Sequence, residues 1–90
     1  MKSIHAQQIY LPEFDADFFR LPDSQQRLIE AKIDELGSRL AAFSHERLKG
    51  SSHFRIRAGN YRVIYAFDAE KNIVWLLLVG HRSKVYRSTE

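Results

Sequence analysis

Three arginines, Arg55, Arg57 and Arg62, fall within eight positions of the stretch "HFRIRAGNYRVIYAF" (53–67), and Arg82 follows His81 in "VGHRSKVYR" (79–87). A guanidinium stays protonated and offers a planar fork of N–H donors that matches the oxygens of a phosphate or carboxylate. Imidazole, with an ordinary pKa near ~6.5, both gives and takes protons at neutral pH. The set therefore suits an anionic ligand, and His81 is the group best able to move a proton beside it.

The charge distribution points the same way. The net charge of +3 hides an asymmetry: residues 1–46 hold five Lys or Arg against eight Asp or Glu, whereas residues 47–90 hold nine against three. A basic half of this kind is expected to meet a polyanion such as nucleic acid or a nucleoprotein surface, the alternative being a solvated face with no partner. The 90 residues suffice for one domain spanning 1–90 with a single modest core. With 44% hydrophobic and 28% charged residues they read as a folded globule. Cysteine is absent, so disulfides and thiolate metal sites are excluded. No apolar run approaches the ~20 residues of a membrane span and no leader is evident, which implies a cytoplasmic protein that makes no membrane contact.

The elements that must position these residues follow from periodicity. "SIHAQQIYL" alternates enough for a first strand, ended by Pro12. "PEFDADFFRL" places Phe14, Phe18 and Leu21 at offsets 0, 4 and 7, a short amphipathic helix. Leu21-Pro22 breaks it, and Asp23 with Gln26 resembles a capping box for a second helix. The apolar stripe of that helix is Ile29, Ile33, Leu36, Leu40 and Phe43, with Gly37 in its middle. The two helices are expected to form a hairpin that packs on a sheet.

Gly59-Asn60 lies between two alternating runs and matches a two-residue hairpin turn. Counting outward from Ala58 opposite Tyr61 pairs Arg57 with Arg62, Ile56 with Val63, Arg55 with Ile64, Phe54 with Tyr65 and His53 with Ala66. Phe54, Ile56, Ala58, Tyr61, Val63 and Tyr65 then share the helix side, while Arg55, Arg57 and Arg62 share the other. Like charges directly opposed destabilise a ladder, so Arg57 against Arg62 suggests an anion docked there. "IVWLLLVG" (73–80) reads as a central strand covered on both faces, with Trp75 in the core. Parity alone leaves open which of His81 and Arg82 joins the arginine side. The expected fold is α+β: an N-terminal strand, a helical hairpin, then an antiparallel three-stranded meander in two layers.

"RLKG" (47–50), "FRIRAGNYRVIYAF" (54–67) and "VGHRSKVYR" (79–87), arriving in that order after a strand and a helical hairpin, resemble the RelE branch of the RelE/ParE superfamily of bacterial toxins. The resemblance implies an mRNA interferase that acts in the ribosomal A site and is held in check by a cognate antitoxin. It implies cleavage without a metal or other cofactor: the ribose 2′-hydroxyl attacks the adjacent phosphate, giving a 2′,3′-cyclic phosphate and a 5′-hydroxyl end. Arg62 and Arg82 match the phosphate-binding catalytic arginines, and Tyr86 matches a tyrosine that stacks on a base or orients the 2′-hydroxyl. Arg55 and Arg57 stand where many members carry lysines, which keeps the charge but removes an amine base. His81 becomes the candidate acid and Glu46 a candidate base, with Tyr86 in reserve if nearby cations lower its pKa. Arg47, Lys49, Arg55, Arg57 and Lys84 are the expected RNA-backbone contacts.

Plainer readings stand beside these. His81 also fits a strand-end histidine bonded to backbone, and Glu46 a solvated acid. Tyr61 and Tyr65 read as packing with hydroxyls at the margin. His5, His45 and His53 lack the spacing of metal ligands. The competing function is that of a ParE-type toxin, which shares the fold, lacks nuclease residues and acts on DNA gyrase.

Overall fold

The alternation around Gly59-Asn60 folds into the expected hairpin. A computed structural model describes residues 5–85. Its elements are β1 (Gln7–Tyr10), α1 (Pro12–Phe18), α2 (Asp23–Ser38), a 3₁₀ turn (Leu40–Ala42), β2 (Glu46–Arg47), β3 (Phe54–Ala58), β4 (Tyr61–Asp68) and β5 (Ile73–His81). The β3–β4 register runs from Ala58 opposite Tyr61 to Phe54 opposite Tyr65, as counted from the turn. The pair His53–Ala66 does not form; instead the His53 carbonyl accepts the Leu48 N–H at 2.9 Å. Gly59 supplies the positive φ of the turn, 62°. Positive φ at the first central position is the type II′ pattern, whose twist suits the flanking strands.

The sheet is wider than a three-stranded meander. Its order is β1-β5-β4-β3-β2, antiparallel throughout except that β1 runs parallel to β5. A parallel neighbour requires a crossover, and the helical hairpin supplies it. Phe14, Phe18, Ile29, Ile33, Leu36 and Leu40 pack on Ile56, Ala58, Val63, Tyr65, Val74, Leu76 and Val79. Each fully buried Phe, Ile or Leu here contributes about 1.5–3 kcal/mol relative to exposure. The stripe predicted for the second helix is continuous in space but not in helix. α2 ends at Ser38, and the 3₁₀ turn carries Leu40 onto the same core. Asp23 does not cap α2; Pro22 occupies the N-cap, and Gln26 Nε2 reaches back to donate to the Leu21 carbonyl at 3.0 Å. Gly37 lets β1 approach α2: its carbonyl accepts the Ala6 N–H at 2.8 Å, and a Cβ there would stand 3.3 Å from Gln8 Nε2.

The expectation that β5 is covered on both faces needs correction. Helices cover only the face of Val74, Leu76 and Val79, whereas Trp75, opposite Ala66, is half-buried outside both apolar clusters. The register slips between Ile64–Leu78 and Tyr65–Leu76, so Leu77 is an extra residue on β5. Such a bulge reverses the parity of everything after it. Leu77 and Leu78 therefore join a second small cluster with Leu48, Ile64 and Val85 on the sheet's other face.

Gly59→Val is expected to destabilise the domain by at least about 1 kcal/mol, because a β-branched residue resists positive φ. A Cβ there also stands 3.3 Å from Leu28 Cδ2. Urea unfolding of the purified protein measures it.

Candidate functional site

Arg57 stands opposite Arg62, as the turn dictates. β2 pairs Glu46 with Arg55, which brings the Glu46 carboxylate onto the arginine face. Its Oε2 accepts from Arg55 Nη2 at 2.9 Å and lies 3.8 Å from Arg57 Nη2. Arg62 turns the other way, and its Nη1 donates to the carbonyls of Gly59 at 2.8 Å and Tyr61 at 2.9 Å. The like-charge pair is thus split, one partner drawn toward a carboxylate and the other toward the dipoles of the hairpin turn. Arg57 remains largely exposed at 60%, against 27% for Arg55.

Glu46 is consequently a poor candidate for the base. The hydrogen bond from Arg55, with Coulombic help from Arg55, Arg57 and Arg62, holds its carboxyl below the usual carboxylate range despite an opposing desolvation. Because the folded value lies below the unfolded one, the pairing contributes at neutral pH and is lost as acid carries Glu46 through its lowered value.

Parity at the end of β5 is now decided. His81 opposes Tyr61 and Gly80 opposes Arg62. Directly opposed residues share a face, so His81 leaves the sheet on the helix side, its ring edge-on to Tyr61 at 5.7 Å. The Arg82 N–H donates to the Asn60 carbonyl at 2.8 Å, which ties the start of the turn after β5 to the hairpin turn whose Gly59 carbonyl Arg62 also engages. His81 and Arg62 are therefore neighbours across the ladder but on opposite faces. His81 Nδ1 accepts from the Ser83 N–H at 3.2 Å and meets Ser83 Oγ at 2.9 Å, so the neutral ring carries its proton on Nε2.

The other expected contacts divide. Arg47 opposes Phe54, lies over its ring at 5.5 Å, and so sits on the face away from Arg55 and Arg57. Lys49 is exposed in the turn after β2, and Lys84 is exposed after β5, its N–H on the His81 carbonyl at 2.9 Å. Tyr86 lies outside the described residues. Two features escaped the sequence reading. Leu48 and Val85 close over Ile64 on the arginine face, and Val85 lies against Gly80. The second is Tyr65, whose hydroxyl is not marginal: it donates to Nδ1 of His45 at 2.7 Å, while His45 Nε2 donates to the Leu40 carbonyl at 2.8 Å. Burial, with a smaller contribution from Glu46, raises the Tyr65 pKa far above the usual tyrosine range. His45 also stacks on Phe67 at 3.8 Å. An alternation count that assigned Tyr65 to the core carried no signal for its partner.

The sequence model of the family described as "ParE toxin of type II toxin-antitoxin system, parDE" matches residues 9–86. The chain belongs to that family, within the RelE/ParE superfamily, and is a toxin of the type II toxin-antitoxin class. No curated protein matches it in sequence. Its fold is similar to those of solved toxins and toxin complexes. A chain of the Mycobacterium tuberculosis RelBE2 toxin-antitoxin complex is 24% identical with a TM-score of 0.71, covering 92% of this chain and 98% of its own. A chain of the RelE-RelB complex of Pyrococcus horikoshii is 20% identical with a TM-score of 0.73, covering 91% and 100%. The isolated Escherichia coli RelE toxin is 20% identical with a TM-score of 0.72, covering 93% and 94%. Among the described residues no helix is long and apolar enough to cross a membrane.

Two measurements check the electrostatics. In carbon-detected NMR the Glu46 carboxyl is expected to titrate below an ordinary glutamate, and Arg55→Met is expected to move it upward. Glu46→Gln removes the negative charge beside Arg55 and Arg57 and is expected to steepen the salt dependence of binding to a polyanion such as heparin by about one contact; an unchanged slope would show that Glu46 does not restrain them.

Proposed function

We propose that this toxin is a ribosome-dependent mRNA endonuclease. The observation that carries the proposal is the register at the hairpin tip, which puts Arg57 and Arg62 on one face of the sheet and ties the backbone of Arg82 to Asn60 of the same turn. That grouping supports binding of a phosphodiester whose equatorial oxygens gain charge in the transition state, where preoriented cationic donors have their largest effect. In the reaction the 2′-oxygen forms a bond to phosphorus and gives up its proton, the bond from phosphorus to the 5′-oxygen breaks, and that oxygen takes a proton. Arg62 and Arg82 would hold the phosphate. His81 would protonate the leaving oxygen from the rim of the sheet, reaching round its end, since it departs from the opposite face. Glu46, already held by arginine, is better suited to hold Arg55 and Arg57 than to take the 2′ proton, which leaves Tyr86 as the candidate base. Lys49 and Lys84 supply generic backbone contacts. Solved chains of similar fold come from RelBE2 and RelE-RelB toxin-antitoxin complexes, which supports a cognate antitoxin as the partner of this protein in the cytoplasm.

A second reading, inhibition of DNA gyrase, is favoured by the ParE description of the matching family model. The two readings separate on induction in cells. Translational arrest with cyclic-phosphate mRNA ends supports the nuclease, and DNA damage with intact message supports gyrase inhibition. For the nuclease, Arg62→Ala and Arg82→Ala are each expected to lower cleavage of ribosome-bound mRNA by at least about 10²-fold with folding unchanged. Cleavage at the wild-type rate by both variants would remove the proposed roles.

A further inference from the structure

β1 leaves β5 early. The last parallel pair is Tyr10 with Leu76, followed only by the Leu11 N–H on the Leu76 carbonyl at 3.1 Å. Beyond that point the outer edge of β5 has no strand neighbour among the described residues. The turn after α1 stands across from it and the segment after β5 bounds it, leaving an open depression of about 290 Å³. Its lining combines two kinds of surface. Tyr61 and His81 make an aromatic corner, their rings 5.7 Å apart at 79°, and Asp17, Arg20 and Lys84 provide charged groups around it.

From this arrangement we infer that the depression is a subsite for one unpaired nucleobase of a single-stranded nucleic acid, with Asp17 and Arg20 as the residues that engage its edge. Three observations select this occupant. An aromatic corner with an apolar floor suits a flat π-face, which is how proteins hold unstacked bases. Asp17 only accepts hydrogen bonds and Arg20 only donates them, a combination that matches the mixed donor and acceptor edge of a base. Gly80, which lines the depression, is directly opposite Arg62 on the ladder. His81 and Arg62 leave the sheet on opposite faces, so a strand with its phosphate at Arg62 reaches the depression by passing round the end of β5. The cation Lys84 suits the backbone that must run between the two. Asp17 and Arg20 are exposed, so substitutions there leave the core untouched.

The inference rests on the nucleic-acid reading of the arginine face, and its test separates the two. The probe is a 2′-O-methyl RNA trinucleotide, which cannot be cleaved by 2′-hydroxyl attack, with each base in turn replaced by an abasic unit. Binding to the intact protein is followed by NMR. At one position the abasic replacement is expected to weaken binding about 10-fold, the scale of one stacked base. That cost is expected to fall several-fold in Asp17→Ala and in Arg20→Ala, which remove the edge contacts and leave the stacking rings, and to keep its full size in Lys71→Ala, which lies in the turn at the far end of β5. No detectable binding, equal weakening of intact and abasic probes by the variants, or shift changes confined to the arginine face would overturn the subsite. Ribosomal cleavage is read separately. An active nuclease whose abasic cost ignores Asp17 and Arg20 keeps its reaction and loses the subsite; an inactive one that shows the cost keeps the subsite alone.

Discussion

Two guanidiniums opposed on one ladder, Arg57 and Arg62, are the constraint around which this face of the sheet is built. An antiparallel pair gains nothing from that juxtaposition, and in water the repulsion is only partly screened. The fold answers it with a carboxylate delivered by a strand of two residues. β2 adds little hydrogen bonding, yet it is what sets Glu46 beside Arg55 and within 3.8 Å of Arg57. Arg62 is satisfied separately by carbonyls of its own turn. The result is a set of cations oriented by the protein's own carboxylate and carbonyls.

The delivery of Glu46 depends on what precedes it. Phe43 to Glu46 carries the chain from the helical layer to the sheet edge, and His45 is its fastening. Both ring nitrogens are bonded, to the Tyr65 hydroxyl and the Leu40 carbonyl, and the ring is stacked on Phe67. Tyr65 is fully buried, so its hydroxyl needs that partner. A buried tyrosine bonded to a half-buried histidine thereby fixes where an exposed ion pair forms one residue later.

At the other end of the site the controlling feature is the extra residue in β5. Leu77 reverses the parity of the strand, sends Leu78 to the arginine face, and turns His81 toward the helices. Without it, Gly80 and His81 would exchange faces. The same reversal sets Gly80 across from Arg62, where Val85 packs against it and, with Leu48, covers Ile64. The chemical groups thus line both sides of one strand end instead of lying on a single surface.

What the amino-acid sequence determined by itself is everything governed by short-range geometry. The two-residue turn at Gly59-Asn60 set the register of five cross-strand pairs, and through it the sharing of one face by Arg55, Arg57 and Arg62. Helix periodicity likewise identified Phe14, Phe18, Ile29, Ile33 and Leu36 as core. The order of three short motifs pointed to the superfamily. Other features were left to the tertiary structure, because they arise from pairings between segments distant along the chain. These are the parallel docking of β1 on β5, the two residues of β2 that carry Glu46 to Arg55, and the bond from His45 to Tyr65. The bulge at Leu77 belongs with them, since a run of unbroken apolar residues carries no period from which a slipped register can be read. The side of the sheet that His81 faces follows from that one displaced residue, and so did not exist as information until the strands met.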